Sequence, residues 1–570
     1  MSRYIPINAQ DALDKLKAKK KQISIGLATI AALLILFFVF FTKSSEIPEC
    51  QDCKSYGPLK PAYKGSLDLI FENKDYQLSV IEKLAGAIRI PTQIYDETPP
   101  PDLSIPLKDD PNYKNFSLLH TYLESTFPLV YSKFIVEKIN GAGLLLTWHP
   151  KHIPKDSKPF LLMAHQDVVP FDPSTVSRWT YPPFSGHYDK KTDTLYGRGS
   201  TDTKKLLISH LEALELLIAA NWEPSKRPIL LSYGFDEERG GIDGASAIAK
   251  FILERYGPDS IYGLIDEGGE TGYLGDNGFI GSPVTAEKGY LDAIITLNTK
   301  GGHSSIPPDH TSIGIISELN YLLEKNPYDP SIAVNNPALE AVQCRALYDK
   351  SFFGDVTKGF KSGRLGKLTN AVNNHLGYRY FFRTSQAIDI IKGGVKANAL
   401  PEQVTVLVNN RININSSVNE TLVHILDLVS EVADKYDLSI KLERSSNASE
   451  LKSGKNGEFV VVVRGELEPA PISPTAGDEM WEIIAGTIVN TYSSSFFGNN
   501  TEVYVAPSLT TGNTDTKYFW DLTKRIYRFS GSLHVNGSNA HTVDEKTTGK
   551  SIISCLAFVY QIIGNIDKYT

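Results

Sequence analysis

Four short apolar runs in this chain each stop at a histidine or a carboxylate, and that shared ending is its most restrictive feature. The runs are PFLLMAHQD (159–167), TLYGRGSTD (194–202), PILLSYGFDEE (228–238) and YGLIDEGG (262–269). Short apolar runs bounded by turn residues suit strands buried on both faces of a parallel sheet. Parallel neighbours need crossovers, and Lys204 to Ala220 and Ile242 to Tyr256 supply them with apolar residues at helical spacing. The pattern predicts an α/β fold, a mixed and mainly parallel sheet flanked by helices. Ligands of such sheets bind beyond the carboxyl ends of the strands, so the four polar endings are expected to converge on one crevice.

After Glu287 the pattern changes. AIITLNTKGGHSS, a helical stretch from Thr311 to Glu324, VTVLVNNRINI and a second helical stretch from Glu420 to Tyr436 describe a smaller α+β unit inserted in the first. Helical spacing returns from Asp478 to Tyr492 and in the apolar stretch Ser551 to Gly564, which is expected to pack on the first sheet. The reading is a catalytic domain in two parts, 68–288 and 443–570, interrupted by a lid at 289–442.

Residues 23–41 carry no charge, and at ~1.5 Å rise per residue they span about one hydrocarbon core. The run is longer than a signal-peptide core and no small-x-small cleavage site follows it, which favours an uncleaved anchor. The basic residues of 1–22 keep that tail cytoplasmic, making a single-pass type II protein with its bulk lumenal or extracellular. Asn115, Asn415, Asn419, Asn447, Asn499 and Asn536 each open a glycosylation sequon, in keeping with that side of the membrane. Residues 42–67, polar with Pro48, Pro58 and Pro61, read as a stalk. A net charge of -7 gives no basic footprint, which sets nucleic acid aside. Cys50 and Cys53 form a lone C-x-x-C, read as a linker disulfide or two unpaired thiols, and Cys344 and Cys555 as isolated buried thiols.

The residues with metal and acid–base chemistry are His165, Asp202, Glu237, Glu238, Asp266 and His541. Imidazole nitrogens and carboxylate oxygens suit zinc, and a carboxylate can bridge two ions. A G-x-S-x-G elbow and an H-E-x-x-H helix are both absent from the sequence, which disfavours serine hydrolases and zincins.

AHQDVVP (164–170), GRGSTDTK (197–204), DEE (236–238), IDEGG (265–269), GGHSS (301–305), GGVKANALPE (393–402) and AHTVDE (540–545) occur in order. Together they resemble the aminoacylase/carboxypeptidase S family of zinc metallopeptidases. The resemblance implies two Zn2+ ions per subunit, one held by His165 and Asp266, the other by Glu238 and His541, with Asp202 bridging. His534, close before His541, is the alternative at that position. It also implies Glu237 as general base, Asp167 as the carboxylate that orients His165, and His303 as a lid histidine reaching the substrate carbonyl, in several relatives from the neighbouring subunit. Asn398 and Arg411 fall at lid positions that hold substrate oxygens in relatives. The implied activity is hydrolysis of the C-terminal peptide bond of short peptides in a vacuole-type lumen, with a homodimer formed through the lid. The alternatives are an N-acyl amino-acid hydrolase or synthase of the same family and an inactive membrane-anchored binding protein. Retention of Glu237 and all five expected ligands speaks against the last.

Overall fold

The structure, a computed structural model, describes residue 47 and residues 56–570, apart from 276–277, 445–446 and 499–500. The expected anchor, the basic tail, Cys50, Cys53 and Asn499 lie outside the described residues.

The first part of the chain forms β1 (Ile135–Ile139), β2 (Gly143–Trp148), β3 (Phe160–His165), β4 (His187–Asp189), β5 (Thr194–Tyr196), β6 (Ile229–Gly234), β7 (Gly263–Leu274), β8 (Gly278–Gly281) and β9 (Val284–Glu287). The inserted unit follows with β10 (Gly289–Thr299), β11 (Gly302–His303), β12 (Ser385–Gly393), β13 (Ala399–Leu400), β14 (Gln403–Ile412), β15 (Ser439–Arg444), β16 (Asn447–Lys452) and β17 (Gly457–Leu467). The chain then returns through β18 (Glu502–Val505), β19 (Ser508–Thr510), β20 (Ile526–Leu533) and β21 (Lys546–Thr548). The main sheet has ten strands in the order β1-β2-β6-β3-β7-β20-β9-β19, with β8 joining β7 to β18.

At the centre of that sheet β3 runs parallel to both β6 and β7, with His165 opposite Gly234 and Phe160 opposite Gly263. Side chains alternate along a strand. Phe160, Leu162 and Ala164 therefore enter one core with Leu206, Leu207 and Leu211 of helix Lys204–Ala219. Leu161 and Met163 enter a second core with Ile248 and Ile252 of helix Ala245–Tyr256. Burial on both faces is why the run is apolar throughout. The helix Gly549–Tyr569 is long and apolar enough to cross a membrane, but it is buried along nearly its whole length and forms the core of this domain, packing against β20 and helix Lys204–Ala219.

Four expectations are corrected. TLYGRGSTD does not supply a strand of the main sheet: β5 belongs to a small three-stranded sheet with β4 and β21, and Asp202 lies in the loop before helix Lys204–Ala219. The lid does not end at 442, because β17 pairs with β10 along Gly457–Leu467 in the middle of the lid sheet β12-β14-β10-β17-β15-β16. The second half of the expected stalk is packed down. Tyr56 and Leu59, between the prolines, and Tyr63, just after them, rest on the main core, the Leu59 amide donates to Gly486 O (2.9 Å), and the Ala62 amide donates to Asn565 Oδ1 (2.8 Å). Cys344 is disulfide-bonded, whereas Cys555 is a buried free thiol.

A group of helices between Ala338 and Arg379 leaves the lid and packs onto the first domain. Val342, Leu368 and Phe382 meet Ala286 and Leu509 in one apolar cluster. The lid is therefore tied to the main domain by an apolar contact as well as by its two connecting strands.

Candidate metal centre

His165 ends β3, and its ring is buried. Nδ1 lies 3.0 Å from the Asp167 carbonyl oxygen and 3.3 Å from Asp167 Oδ1. Nε2 lies 3.0 Å from Asp202 Oδ1 and 3.3 Å from Glu267 Oε1. The other Asp202 oxygen is 2.9 Å from His541 Nε2, which is also 3.1 Å from Glu238 Oε2. Asp202 thus stands between two imidazoles with one oxygen toward each. His534 faces elsewhere, its Nδ1 2.8 Å from Glu270 Oε2, so His541 alone of the two joins the cluster.

Each loop that carries these groups is held by a buried carboxylate. Glu545 Oε1 accepts the amides of Gly199 (3.0 Å), Thr201 (3.0 Å) and Asp202 (3.3 Å), while its Oε2 accepts from Arg198 Nη1 (2.7 Å). Its place at the end of AHTVDE was visible in the sequence, but its job of shaping the Asp202 loop was not. Asp167 Oδ2 accepts the Glu238 amide (3.0 Å), so one residue holds the ligand ring through its carbonyl and the neighbouring ligand loop through its carboxylate. Asp236 closes that loop by accepting the amides of Asp243 and Gly244, both at 2.8 Å. Beneath it lies the buried Asp515, another residue the sequence reading missed. A Cβ at Gly241, whose φ is +67°, would come within 2.0 Å of Asp515 Oδ1, so glycine is required there on both counts.

Asp266 is not in the cluster; Glu267 takes the place expected of it. Adjacent residues of a strand face opposite ways, so with Glu267 directed at His165, Asp266 turns toward Arg528, its partner in the β7–β20 register. Gln166, between His165 and Asp167, is a buried structural residue: its amide donates to Ala142 O and Tyr233 O, and its oxygen meets His120 Nε2.

The electrostatics describe a site short of positive charge. Burial, with Glu267 nearby, pushes the Glu237 carboxyl well above its ordinary value, and burial raises Glu238 to about 7. His541 is raised to about 10 by its hydrogen bonds to Asp202 and then Glu238. Burial alone would lower His165, but Glu267, Asp167 and Asp202 together raise it. Burial likewise opposes ionisation of Asp202, yet its two imidazole contacts pull it below the usual carboxylate range. Glu238 Oε1 is buried with no hydrogen-bond partner. Two triads, His165–Asp202–Glu238 and His165–Glu237–Glu267, have ligand atoms within 4.8 Å of one another. Carboxylate oxygens, imidazole nitrogens and uncompensated negative charge fit divalent cations.

The lid residues are elsewhere. His303 and Asn398 lie together on the exposed β11–β13 ribbon, where His303 pairs with Ala399 and Asn398 O accepts the Ser304 amide. Among the described residues, no hydrogen bond or ion pair joins either one to the cluster. Arg411 stands at the domain junction, with Nη1 3.2 Å from Asn513 Oδ1 and the guanidinium 4.6 Å from the centre of the Tyr290 ring. Asn513 also binds the Lys288 carbonyl (2.6 Å) and precedes Asp515 by two residues, which links Arg411 to the loop under Glu237. Lys288 is buried at 1% exposure, with Nζ on the carbonyls of Tyr380 (3.1 Å) and Arg383 (2.8 Å). Burial first, then Arg411 and Arg383, lowers its pKa to about 7. Among the described residues none of Lys288, Arg383 and Arg411 has a carboxylate partner, and Arg383 Nε is buried without any.

The sequence pattern described as Peptidase family M20/M25/M40 matches residues 161–565. Carboxypeptidase S of Saccharomyces cerevisiae is 43% identical over 91% of this chain and 89% of its own length. The N-fatty-acyl-amino acid synthase/hydrolase of Mus musculus is 27% identical over 95% of this chain and 96% of its own length. Among solved structures, an M20 family metallo-carboxypeptidase from Sulfolobus solfataricus superposes with a TM-score of 0.57 at 15% identity, covering 86% of this chain and 99% of that one, which shows a shared fold.

Proposed function

The chain belongs to Peptidase family M20/M25/M40, and from that premise we propose that it is a carboxypeptidase that holds two zinc ions and releases the C-terminal residue of short peptides. His165 and Glu267 would hold one ion and Glu238 and His541 the other, with Asp202 shared. Bound there, the metal supplies Lewis acidity to the scissile carbonyl and to the attacking water. Glu237 takes the proton of that water and returns it to the leaving amine. Asp167 keeps His165 in the tautomer that presents Nε2. His303 and Asn398 belong to this reading as lid groups that reach substrate oxygens when two subunits meet.

The observation that carries the carboxypeptidase reading is the unpaired cation group of Lys288, Arg383 and Arg411 at the domain junction. A buried lysine and two half-buried guanidiniums without a carboxylate partner are costly, and a substrate's terminal carboxylate would supply that partner. The scissile carbonyl and that carboxylate belong to adjacent residues, and the cation group is joined to the Glu237 loop through Asn513–Asp515. Free dipeptides are expected to be cleaved and their C-terminal amides to lose at least tenfold in kcat/KM; Arg411→Met is expected to remove most of that difference. Equal turnover of acids and amides would defeat the reading. Turnover of N-fatty-acyl amino acids alone would favour the acyl amino-acid alternative.

The lid supports self-association. Among the described residues its edge strand β12 has no neighbour on one side, and Ile390 and Ile391 on it and Val395 just after it are exposed at 45%, 56% and 103%. Such an edge invites pairing with a second copy. Ile391→Lys is expected to convert a dimer to a monomer in sedimentation without unfolding either domain.

We place the catalytic part in a vacuole-type lumen behind the 23–41 anchor. Asn415, Asn419 and Asn447 are exposed, whereas Asn536, though exposed, lines a cavity beside β7 and Asn115 donates its amide to Pro91 O (2.7 Å), which makes these two the poorest acceptors for a glycan. Endoglycosidase treatment is expected to lower the apparent mass, and alkaline carbonate to leave the chain in the membrane pellet. A soluble, unmodified chain would refute this placement.

A further inference from the structure

A cavity of about 520 Å³ lies between β7 and the helices of the lid insertion. Gly268, the residue after Glu267, forms part of its wall, and His534 and Asn536 bring in the loop that leads to His541. The cavity thus shares a strand with Glu267 and a loop with His541, and the chemistry of its wall selects what enters.

That wall is polar and cationic. Among the described residues the side chain of Arg345, from helix Ala338–Tyr348, makes one hydrogen bond, Nη1 to Tyr273 O at 3.3 Å, leaving most of its N–H groups uncommitted. The missing side chain at Gly272 makes room for it: a Cβ there would lie 2.9 Å from Arg345 Nη2. Glu270 is the acidic residue lining the cavity, and both its oxygens are engaged. Oε1 meets Ser532 Oγ at 2.7 Å and Lys205 Nζ at 3.4 Å, while Oε2 meets His534 Nδ1 at 2.8 Å. Lys205 is itself buried, so the negative charge of Glu270 is answered from behind the wall. Its hydrogen bond to Glu270, more than the opposing effect of burial, favours the charged form of His534, and the charges near that ring are Glu270, Arg345 and Lys205. One carboxylate, Glu270, against two lining cations, Arg345 and the charged His534, leaves the cavity net positive. Tyr273 and Tyr378 add polar aromatic walls.

We propose that this cavity receives the side chain of the substrate residue flanking the scissile amide and is built for an acidic one, with Arg345 as the specificity-determining group and His534 beside it. This rests on the peptidase reading above and narrows its substrate class to peptides carrying Asp or Glu next to the cleaved bond. A guanidinium with free N–H groups and an imidazolium within one pocket bind a carboxylate by charge-assisted hydrogen bonds, which long apolar chains cannot use.

The test compares kcat/KM of the metal-loaded full-length enzyme on free dipeptides with Glu, Gln or Leu at either position, for the parent, Arg345→Gln and Arg345→Lys. The parent is expected to prefer Glu to Gln by about tenfold or more at one position. Arg345→Gln is expected to lose roughly ten- to hundredfold on that Glu substrate and less than threefold on Leu, while Arg345→Lys keeps part of the preference. If Leu dipeptides are cleaved but Glu carries no advantage, or if Arg345→Gln slows every substrate alike with an unchanged thermal melt, the proposal is wrong while the peptidase reading stands. If no dipeptide is cleaved, both fall together.

Discussion

Glu237→Gln is expected to abolish turnover while leaving the metal bound. The substitution keeps the shape of the side chain and removes its ability to carry a proton, and general acid–base groups are worth about 10² to 10⁴ in rate. Glu237 shares its loop with Glu238, and Asp236 and Asp167 fix the backbone of that loop through the amides of Asp243, Gly244 and Glu238, none of which involves the Glu237 carboxyl. Metal content by elemental analysis should therefore match the parent, and the thermal melt should not fall. A variant that retains more than a tenth of parental kcat would show that another group moves the proton.

A second large effect separates two adjacent acids. Glu267→Gln is expected to weaken binding of one ion at least tenfold and to lower kcat by a similar or greater factor, because Glu267 Oε1 lies 3.3 Å from His165 Nε2. Asp266→Asn is expected to keep both ions, because strand alternation turns Asp266 toward Arg528 and away from the imidazole. Metal titration of the two variants side by side reads the difference directly. The reverse result, with Asp266→Asn losing an ion and Glu267→Gln keeping both, would reinstate the assignment expected from sequence.

That pair also marks where sequence reading stops. His165, Asp202, Glu238 and His541 each sit in a motif with one candidate or one favoured candidate, and the structure brings their side chains together. In IDEGG two acids stand side by side, and only the phase of β7 decides which faces the histidine. The lid boundary failed for a related reason. The pairing of β17 with β10 joins segments far apart in the chain, and nothing local to Gly457–Leu467 announces its partner. Prolines around Tyr56, Leu59 and Tyr63 resembled a spacer because composition reports stiffness and not whether aromatic side chains find a surface. Lys288, Arg383 and Arg411 carry no motif at all; they become a group only when β9, β12 and β14 are assembled.

The position of β20 has a consequence for how the protein is made. This strand lies between β7 and β9, and the helix Gly549–Tyr569 packs on it, yet both leave the ribosome after the whole lid has been synthesised. Until then β7 and β9 expose unpaired edges and the site lacks His541, so the nascent first half cannot act as a peptidase. Late closure of long-range pairings is slow and leaves sticky intermediates. Activity is thus withheld until the last turns of the chain are in place, and a ribosome that stops early releases an inert, aggregation-prone fragment instead of an unregulated enzyme.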